Sequence, residues 1–316
     1  HARDYSGNCY YDTQFGHKHT GIGKRDLLRE FSVACRAAGM RILYYLYAAQ
    51  SHEPRGACHA EKDFGAVDAE GKRATDKHMC MNTPGREYLL ALLKELSAGY
   101  DFDGFWVDCF GWGAWGKGRV CYCETCKAKF MADTRCALPA PDDLSSAARR
   151  EYMRWTHRIR TNVKREFNGT IRGANPKLTV TYNGGPNALL KGQGGAFDRY
   201  DLDDYLSSEF HYEDGHGMLA LQCRRSAALK PGTPFEIELY RFFVRFNQGM
   251  VRANQVRPVP QLFIEMATVL ANGGFIQYYD NIQMDGTLDR RSLQVLKDSF
   301  AEVQRREEIL PKGYKR

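Results

Sequence analysis

The sequence predicts an α/β fold organised on a parallel sheet, and three observations predict it. Helix-like and strand-like segments alternate along the 316 residues. The strand-like segments are short runs, almost wholly apolar or aromatic, as strands covered on both faces are. No Gly-rich phosphate loop follows any of them, which favours a closed (β/α)8 TIM barrel over an open doubly wound sheet.

The elements follow in order. Asp26 caps a helix through Ala38, with Leu27, Leu28, Phe31, Ala34 and Cys35 on one expected core face, and Gly39 ends it. Arg41 to Tyr47 is the next strand. Thr83-Pro84 opens a helix to Ala98, followed by the strand Gly104 to Asp108. A helix from Ser145 to Phe167 leads to the strand Leu178 to Asn183, and Tyr205 to Phe210 is the strand after that. The helix Met218 to Leu229 precedes the strand Phe235 to Tyr240. Pro260 opens a helix through Ala271, Gly273-Gly274 stop it, and Phe275 to Tyr279 is the last strand. A final amphipathic helix carries Leu293, Leu296, Phe300 and Val303.

That makes six strands where a barrel of this type has eight. Residues 1–316 are therefore expected to be a single barrel domain lacking its first two strands, with the polar stretch His1 to Gly23 as the strandless loop after strand two. Hydrophobic residues make up 43% of the chain, enough for a sizeable core. No apolar run is long enough to cross a membrane. The net charge of +7 is spread along the chain and not gathered in a stripe, which argues against a nucleic-acid partner. Asn168-Gly-Thr170 matches a glycosylation sequon by pattern.

Ten cysteines are present. Cys121, Cys123 and Cys126 form Cys-x-Cys-x-x-Cys just after the fourth barrel strand. Three thiols so close cannot all pair as disulfides without strain, whereas they can converge on one tetrahedral zinc ion. Cys80, at the start of the helix leading into that strand, is the candidate fourth ligand if the chain folds back locally. A closed set of four cysteines would make the Zn2+ structural. Zinc-bound thiolates favour a reducing compartment such as the cytoplasm.

Carboxylates at strand ends are the candidate chemistry, because a barrel gathers its functional groups at the C-terminal ends of its strands. Asp108 ends Asp103-Gly-Phe-Trp-Val-Asp108, and Glu209 lies in Ser207-Ser-Glu-Phe-His-Tyr212. Glu236 and Glu238, on one side of the seventh barrel strand, are rivals to Glu209. Trp106 shares a side with Asp108, and Trp112 and Trp115 follow in a Gly-rich loop as sugar platforms. Tyr45, Tyr47, Asn183, Tyr278 and Asp280, at other strand ends, are candidates for contacts to sugar hydroxyls.

Cys80-Met-Asn-Thr-Pro-Gly-Arg-Glu-Tyr88 followed by Cys121-Tyr-Cys-Glu-Thr-Cys126 resembles the zinc-binding pattern of glycoside hydrolase family 42 β-galactosidases, and the resemblance implies Cys80 as fourth ligand. Asp103-Gly-Phe-Trp-Val-Asp108 resembles the nucleophile motif of the α-L-fucosidases of family 29, and Ser208-Glu-Phe resembles the segment carrying their acid/base. His1-Ala-Arg-Asp-Tyr-Ser-Gly7 is similar to their His-rich segment after strand two, which implies His1 at the substrate. The combination, with the tail Gln261 to Asp289, is closer still to the α-L-fucosidases of family 151. The resemblance implies a retaining α-L-fucosidase acting on a glycan or glycoside, with Asp108 as nucleophile and Glu209 as acid/base. Barrels of these families often assemble, so a homo-oligomer is an expectation. Two departures matter. Val107-Asp108 stands where the galactosidase clan has Asn-Glu, and Ala2 replaces the second His of the fucosidase segment. The alternatives are a β-galactosidase-like enzyme with a nucleophile on the seventh strand and a barrel that binds sugar without cleaving it.

Overall fold

Among the described residues the longer strands pair in parallel and form two three-stranded sheets, one in each of two units. The structure, a computed structural model, describes residues 1–48, 64–74, 79–110, 120–184, 197–210, 215–240, 244–245, 250–251, 256–280, 282 and 285–309. One unit comprises residues 1–182 and 194–202, and the other residues 183–193 and 203–316. No helix among the described residues is long and apolar enough to cross a membrane.

In the first unit β1 (Asn8–Cys9) pairs with β2 (His17–Lys18), and α1 (Leu27–Ala37) follows. The Asp26 side chain accepts from the Arg29 amide, as its capping position predicts. The sheet consists of β3 (Leu43–Tyr47), β4 (Gly104–Asp108) and β5 (Thr179–Tyr182), in that order. The helices α2 (Gly85–Gly99), α3 (Glu124–Thr134) and α4 (Ala147–Ala174) connect or flank these strands.

Four expectations change here. The opening is not strandless: Arg3 bridges Leu46 in parallel, with the Ala2 amide donating to Tyr45 O and the Tyr47 amide to Arg3 O. Isolated bridges and the two-residue strands β1 and β2 in a polar, Gly-containing stretch leave no period-2 pattern to read. The buried stripe of α1 is Leu28 and Ser32, while Phe31 is 63% exposed. Ser32 earns that position by pairing its hydroxyl with Tyr44 at 2.6 Å. The helix α3 begins inside the cysteine motif, with Cys123 as its N-cap, and had no counterpart in the pattern. Finally, α4 runs past Phe167 to Ala174, because Phe167 and Ile171 are both fully buried. Within it Asn168 is buried with both ends of its amide engaged, to Leu202 O and to the Tyr182 hydroxyl, so the sequon is no glycan acceptor in the folded chain.

In the second unit β6 (Leu206–Glu209), α5 (His216–Leu229), β7 (Phe235–Tyr240), α6 (Val259–Ala271), β10 (Phe275–Tyr279) and α7 (Arg290–Gln304) follow in chain order. A small antiparallel pair, β8 (Val244–Arg245) and β9 (Met250–Val251), sits between β7 and α6 in the chain. The sheet order is β10-β7-β6. The expected apolar face of α7 is corrected as well: Leu293 and Phe300 are exposed, and Ser292 and Ser299 are the fully buried positions.

Gly104 shows how tightly β4 is held. A Cβ there would stand 2.3 Å from Thr179 O and 2.9 Å from Leu43 Cδ2, against both neighbouring strands. A backbone carbonyl cannot move aside as a flexible side chain can. Gly104→Ala is expected to destabilise the chain by about 2–3 kcal/mol, read as a lower urea midpoint at unchanged slope.

Candidate active site and candidate metal centre

Register decides which side chains meet. In the first sheet Tyr45 pairs with Trp106, and Tyr47 with Asp108, so all four project from the same face. The other face, with Tyr44 and Phe105, packs on Phe102 and α1. Asp108 is 6% exposed. Its Oδ2 accepts from the Tyr45 hydroxyl at 2.6 Å and from the Tyr5 hydroxyl at 3.4 Å, and its Oδ1 accepts from the Cys109 amide at 2.6 Å. Cys109 takes a positive φ of 51°, a strained conformation that turns the chain sharply after Asp108. His1 lies against Tyr45 with ring centroids 4.2 Å apart, and Tyr45 stacks on Trp106 at 5.6 Å. Asp108, Tyr45, Tyr47, Trp106 and His1 are therefore brought together. Tyr47 packs edge-on to Tyr5 and under the buried Arg3, which donates to its carbonyl.

Tyr5 and Arg3 were not singled out in the sequence. The signal for both was their place in the motif that supplied His1, His1-Ala-Arg-Asp-Tyr-Ser-Gly7. Trp112 and Trp115 lie outside the described residues.

In the second sheet Glu209 of β6 lies opposite Glu238 of β7, and Ser207 opposite Glu236. The Glu209 carboxyl accepts from Asn183 Nδ2 at Oε1, and its backbone carbonyl accepts from Gln222 Nε2 of α5 at 2.9 Å. Glu236 and Glu238 are both buried. Tyr278 and Asp280 are placed differently from the expectation. Tyr278 pairs with Leu239, on the face opposite Glu238, and its hydroxyl meets Ser292 of α7 at 3.3 Å. Ser292 in turn donates to Asp280 at 3.1 Å. Strand parity turns Tyr278 toward the helix, so these two residues tie β10 to α7.

The four cysteines converge. Their sulfurs lie within 4.8 Å of one another, with Cys80 to Cys126 at 3.4 Å and Cys80 to Cys123 at 3.9 Å. A tetrahedron with 2.3 Å metal–sulfur bonds has edges of about 3.8 Å, so the cluster has the right size for one ion. The local folding-back that Cys80 required is provided by an antiparallel bridge between Gly65 and Met79 and by the Cys80 amide donating to Phe64 O at 2.8 Å. Tyr122 then donates its amide to Val67 O at 2.7 Å, joining the two cysteine segments. Three N–H groups point at sulfur, each at 3.4 Å: Val67 to Cys121, Asn82 to Cys126, and the Cys126 amide to Cys123. Such donors spread the negative charge that a set of thiolates would carry. Hydrogen bonds from Cys121, Cys126 and Cys80 pull the Cys123 thiol far below its ordinary value, while those from Cys121 and Cys123 push Cys126 far up. None of the described cysteines is in a disulfide.

No family model and no curated protein matches the chain. Solved structures do. An α-L-fucosidase isoenzyme 2 from Paenibacillus thiaminolyticus is similar at a TM-score of 0.74 and 20% identity, over 98% of this chain and 44% of its own. A β-galactosidase from Bacillus circulans sp. alkalophilus is similar at 0.68 and 15%, over 90% of this chain and 49% of its own. A β-galactosidase from Rahnella sp. R3 follows at 0.65 and 14%, over 95% and 52%. The chain spans about half the length of these proteins. At such identities the likeness is one of fold: this is a mixed α/β chain that folds as parts of known glycosidases do.

Burial, and next the charge of Asp108, hold the Tyr45 phenol well above its ordinary ionisation; burial does the same for Tyr47 and Tyr11. Their neutral forms are favoured only in the folded state. Unfolded tyrosines ionise near pH ~10, so above that pH the unfolded chain binds fewer protons and gains on the folded one. Stability is expected to be insensitive to these groups below pH ~10 and to fall above it, by up to about 1.4 kcal/mol per pH unit for each. Urea unfolding between neutral and alkaline pH checks this, and Tyr45→Phe should flatten the slope.

Proposed function

We propose that the chain is the greater part of a (β/α)8-barrel glycoside hydrolase, and that it cleaves a terminal α-L-fucosyl residue with retention of configuration. The barrel reading is supported by the parallel sheets interleaved with helices, by the extra parallel pairing of Arg3 beside β3, and by the likeness to solved glycosidases. One observation carries the functional reading. Asp108 ends β4 buried, yet the Tyr45 and Tyr5 hydroxyls and the Cys109 amide all donate to it. A carboxyl at a strand end with donors on both oxygens is held in one orientation, as an attacking group must be.

On this reading Asp108 attacks the anomeric carbon and the bond to the leaving oxygen breaks. Glu209 gives that oxygen its proton, then takes one from water as the glycosyl ester is hydrolysed. Tyr45 keeps its proton throughout and fixes the attacking carboxylate. The rings of His1, Tyr45 and Trp106 offer an apolar wall to the flat side of a sugar. Cys80, Cys121, Cys123 and Cys126 would hold a zinc ion, which would supply a structural cross-link between two segments of the first unit.

A panel of nitrophenyl glycosides, assayed with the chain as it stands and with one extended at its N-terminus, tests the reading. Hydrolysis of the α-L-fucoside is expected, lost with Asp108→Ala and restored by added azide. Glu209→Ala should cost about 10²–10⁴-fold in kcat with a poor leaving group and far less with a good one. Turnover of a β-galactoside that survives Asp108→Ala would move the nucleophile to β7, and sugar binding without any turnover would make the barrel a binding module. Elemental analysis of the purified protein should give zinc equimolar with the chain. Cys126→Ser should lower both the zinc content and the thermal midpoint; a metal-free native protein would defeat the zinc assignment.

A further inference from the structure

The N–H donors that face the four cysteine sulfurs are of two kinds. Val67 and Cys126 donate through the main chain, each at 3.4 Å, to Cys121 and Cys123. Their placement follows from the course of the chain. The Val67 carbonyl accepts from the Tyr122 amide at 2.7 Å, and the Cys126 amide belongs to the first turn of α3, which Cys123 caps. Any residue but proline would supply such a donor.

The third donor is a side chain. Asn82 Nδ2 donates to Cys126 Sγ at 3.4 Å, and it is the one side-chain N–H that does so to this cluster among the described residues. Asn82 lies two residues after Cys80, in a turn closed by Thr83. The amide and the hydroxyl of Thr83 both donate to Cys80 O, at 3.0 and 2.6 Å. That turn carries the Asn82 amide back to Cys126, whose sulfur is 3.4 Å from that of Cys80. Asn82 thus links the Cys80 segment to α3 by a bond of its own. Cys126 is fully buried, so solvent does not serve its sulfur.

A thiolate has no proton to give and only accepts, so only the Nδ2 end of the asparagine suits it. Four thiolates around one divalent ion leave an excess of negative charge in a buried place, and each N–H that faces a sulfur offsets part of it. We propose that Asn82 is a residue of the metal centre: it does not bind the ion, but it sets how tightly the ion is held and how electron-rich the Cys126 sulfur is. The proposal rests on the reading of the cluster as a zinc site and on no catalytic assignment.

The test compares the full wild-type chain with Asn82→Ala and Asn82→Leu. Leucine keeps the branched shape of asparagine and removes the donor, which covers the case in which the alanine chain does not fold. Zinc affinity is measured by competition with a chromogenic chelator, and the absorption spectrum of the cobalt(II)-loaded protein is recorded beside it. Zinc is expected to bind both variants about 10–100-fold more weakly than the wild type. The sulfur-to-cobalt charge-transfer band should move to longer wavelength, because a thiolate that has lost its donor gives up an electron more readily. An unshifted band in both variants overturns the proposal even where affinity falls, since lost packing alone would do that. Unchanged affinity in both overturns it as well. In either case a wild type that binds zinc leaves the zinc reading standing. A wild type that binds neither zinc nor cobalt sinks that reading, and the role of Asn82 with it.

Discussion

Parallel register between neighbouring strands is the constraint on which both candidate sites depend. Paired residues point to the same side of a sheet, and successive residues alternate. Tyr47 opposite Asp108 and Glu209 opposite Glu238 are consequences of that pairing. A one-residue slip of β4 would bury Val107 against the aromatic wall and carry Asp108 to the helix side. Gly104 prevents such slippage by letting β3 and β5 close on β4 at a distance no side chain would allow.

The two sites are chemically unlike. Asp108 is surrounded by donors, two phenols and a backbone amide. Glu209 accepts from an amide on one oxygen and lies opposite another acid, Glu238, in the sheet.

The cysteine cluster solves a different problem. Cys80 and Cys121 lie in irregular chain, which has few hydrogen bonds of its own to hold it, while Cys123 caps α3 and Cys126 sits in its first turn. A bridge between Gly65 and Met79, the amide contact from Tyr122 to Val67, and four convergent sulfurs tie these segments together beside β4. The same arrangement satisfies three N–H donors that would otherwise be buried without partners.

The sequence by itself determined the order of the strands, the cysteine set and the acids at the strand ends. Apolar runs bounded by turn residues report burial directly, and Cys-x-Cys-x-x-Cys admits few geometries. Periodicity was a poorer guide on the helices. Phe31, Leu293 and Phe300 looked like core, yet Ser32, Ser292 and Ser299 took the buried positions. A small hydroxyl can enter a close contact and pair there with a tyrosine, as Ser32 does with Tyr44, and hydrophobicity alone does not reveal that. Only the tertiary structure decided that Tyr45 serves Asp108, that Tyr278 serves α7, that Arg3 continues the sheet beyond β3, and that Glu209 lies opposite Glu238. Each of these depends on which strand lies next to which. Pairing between segments distant in sequence leaves no mark on either segment alone.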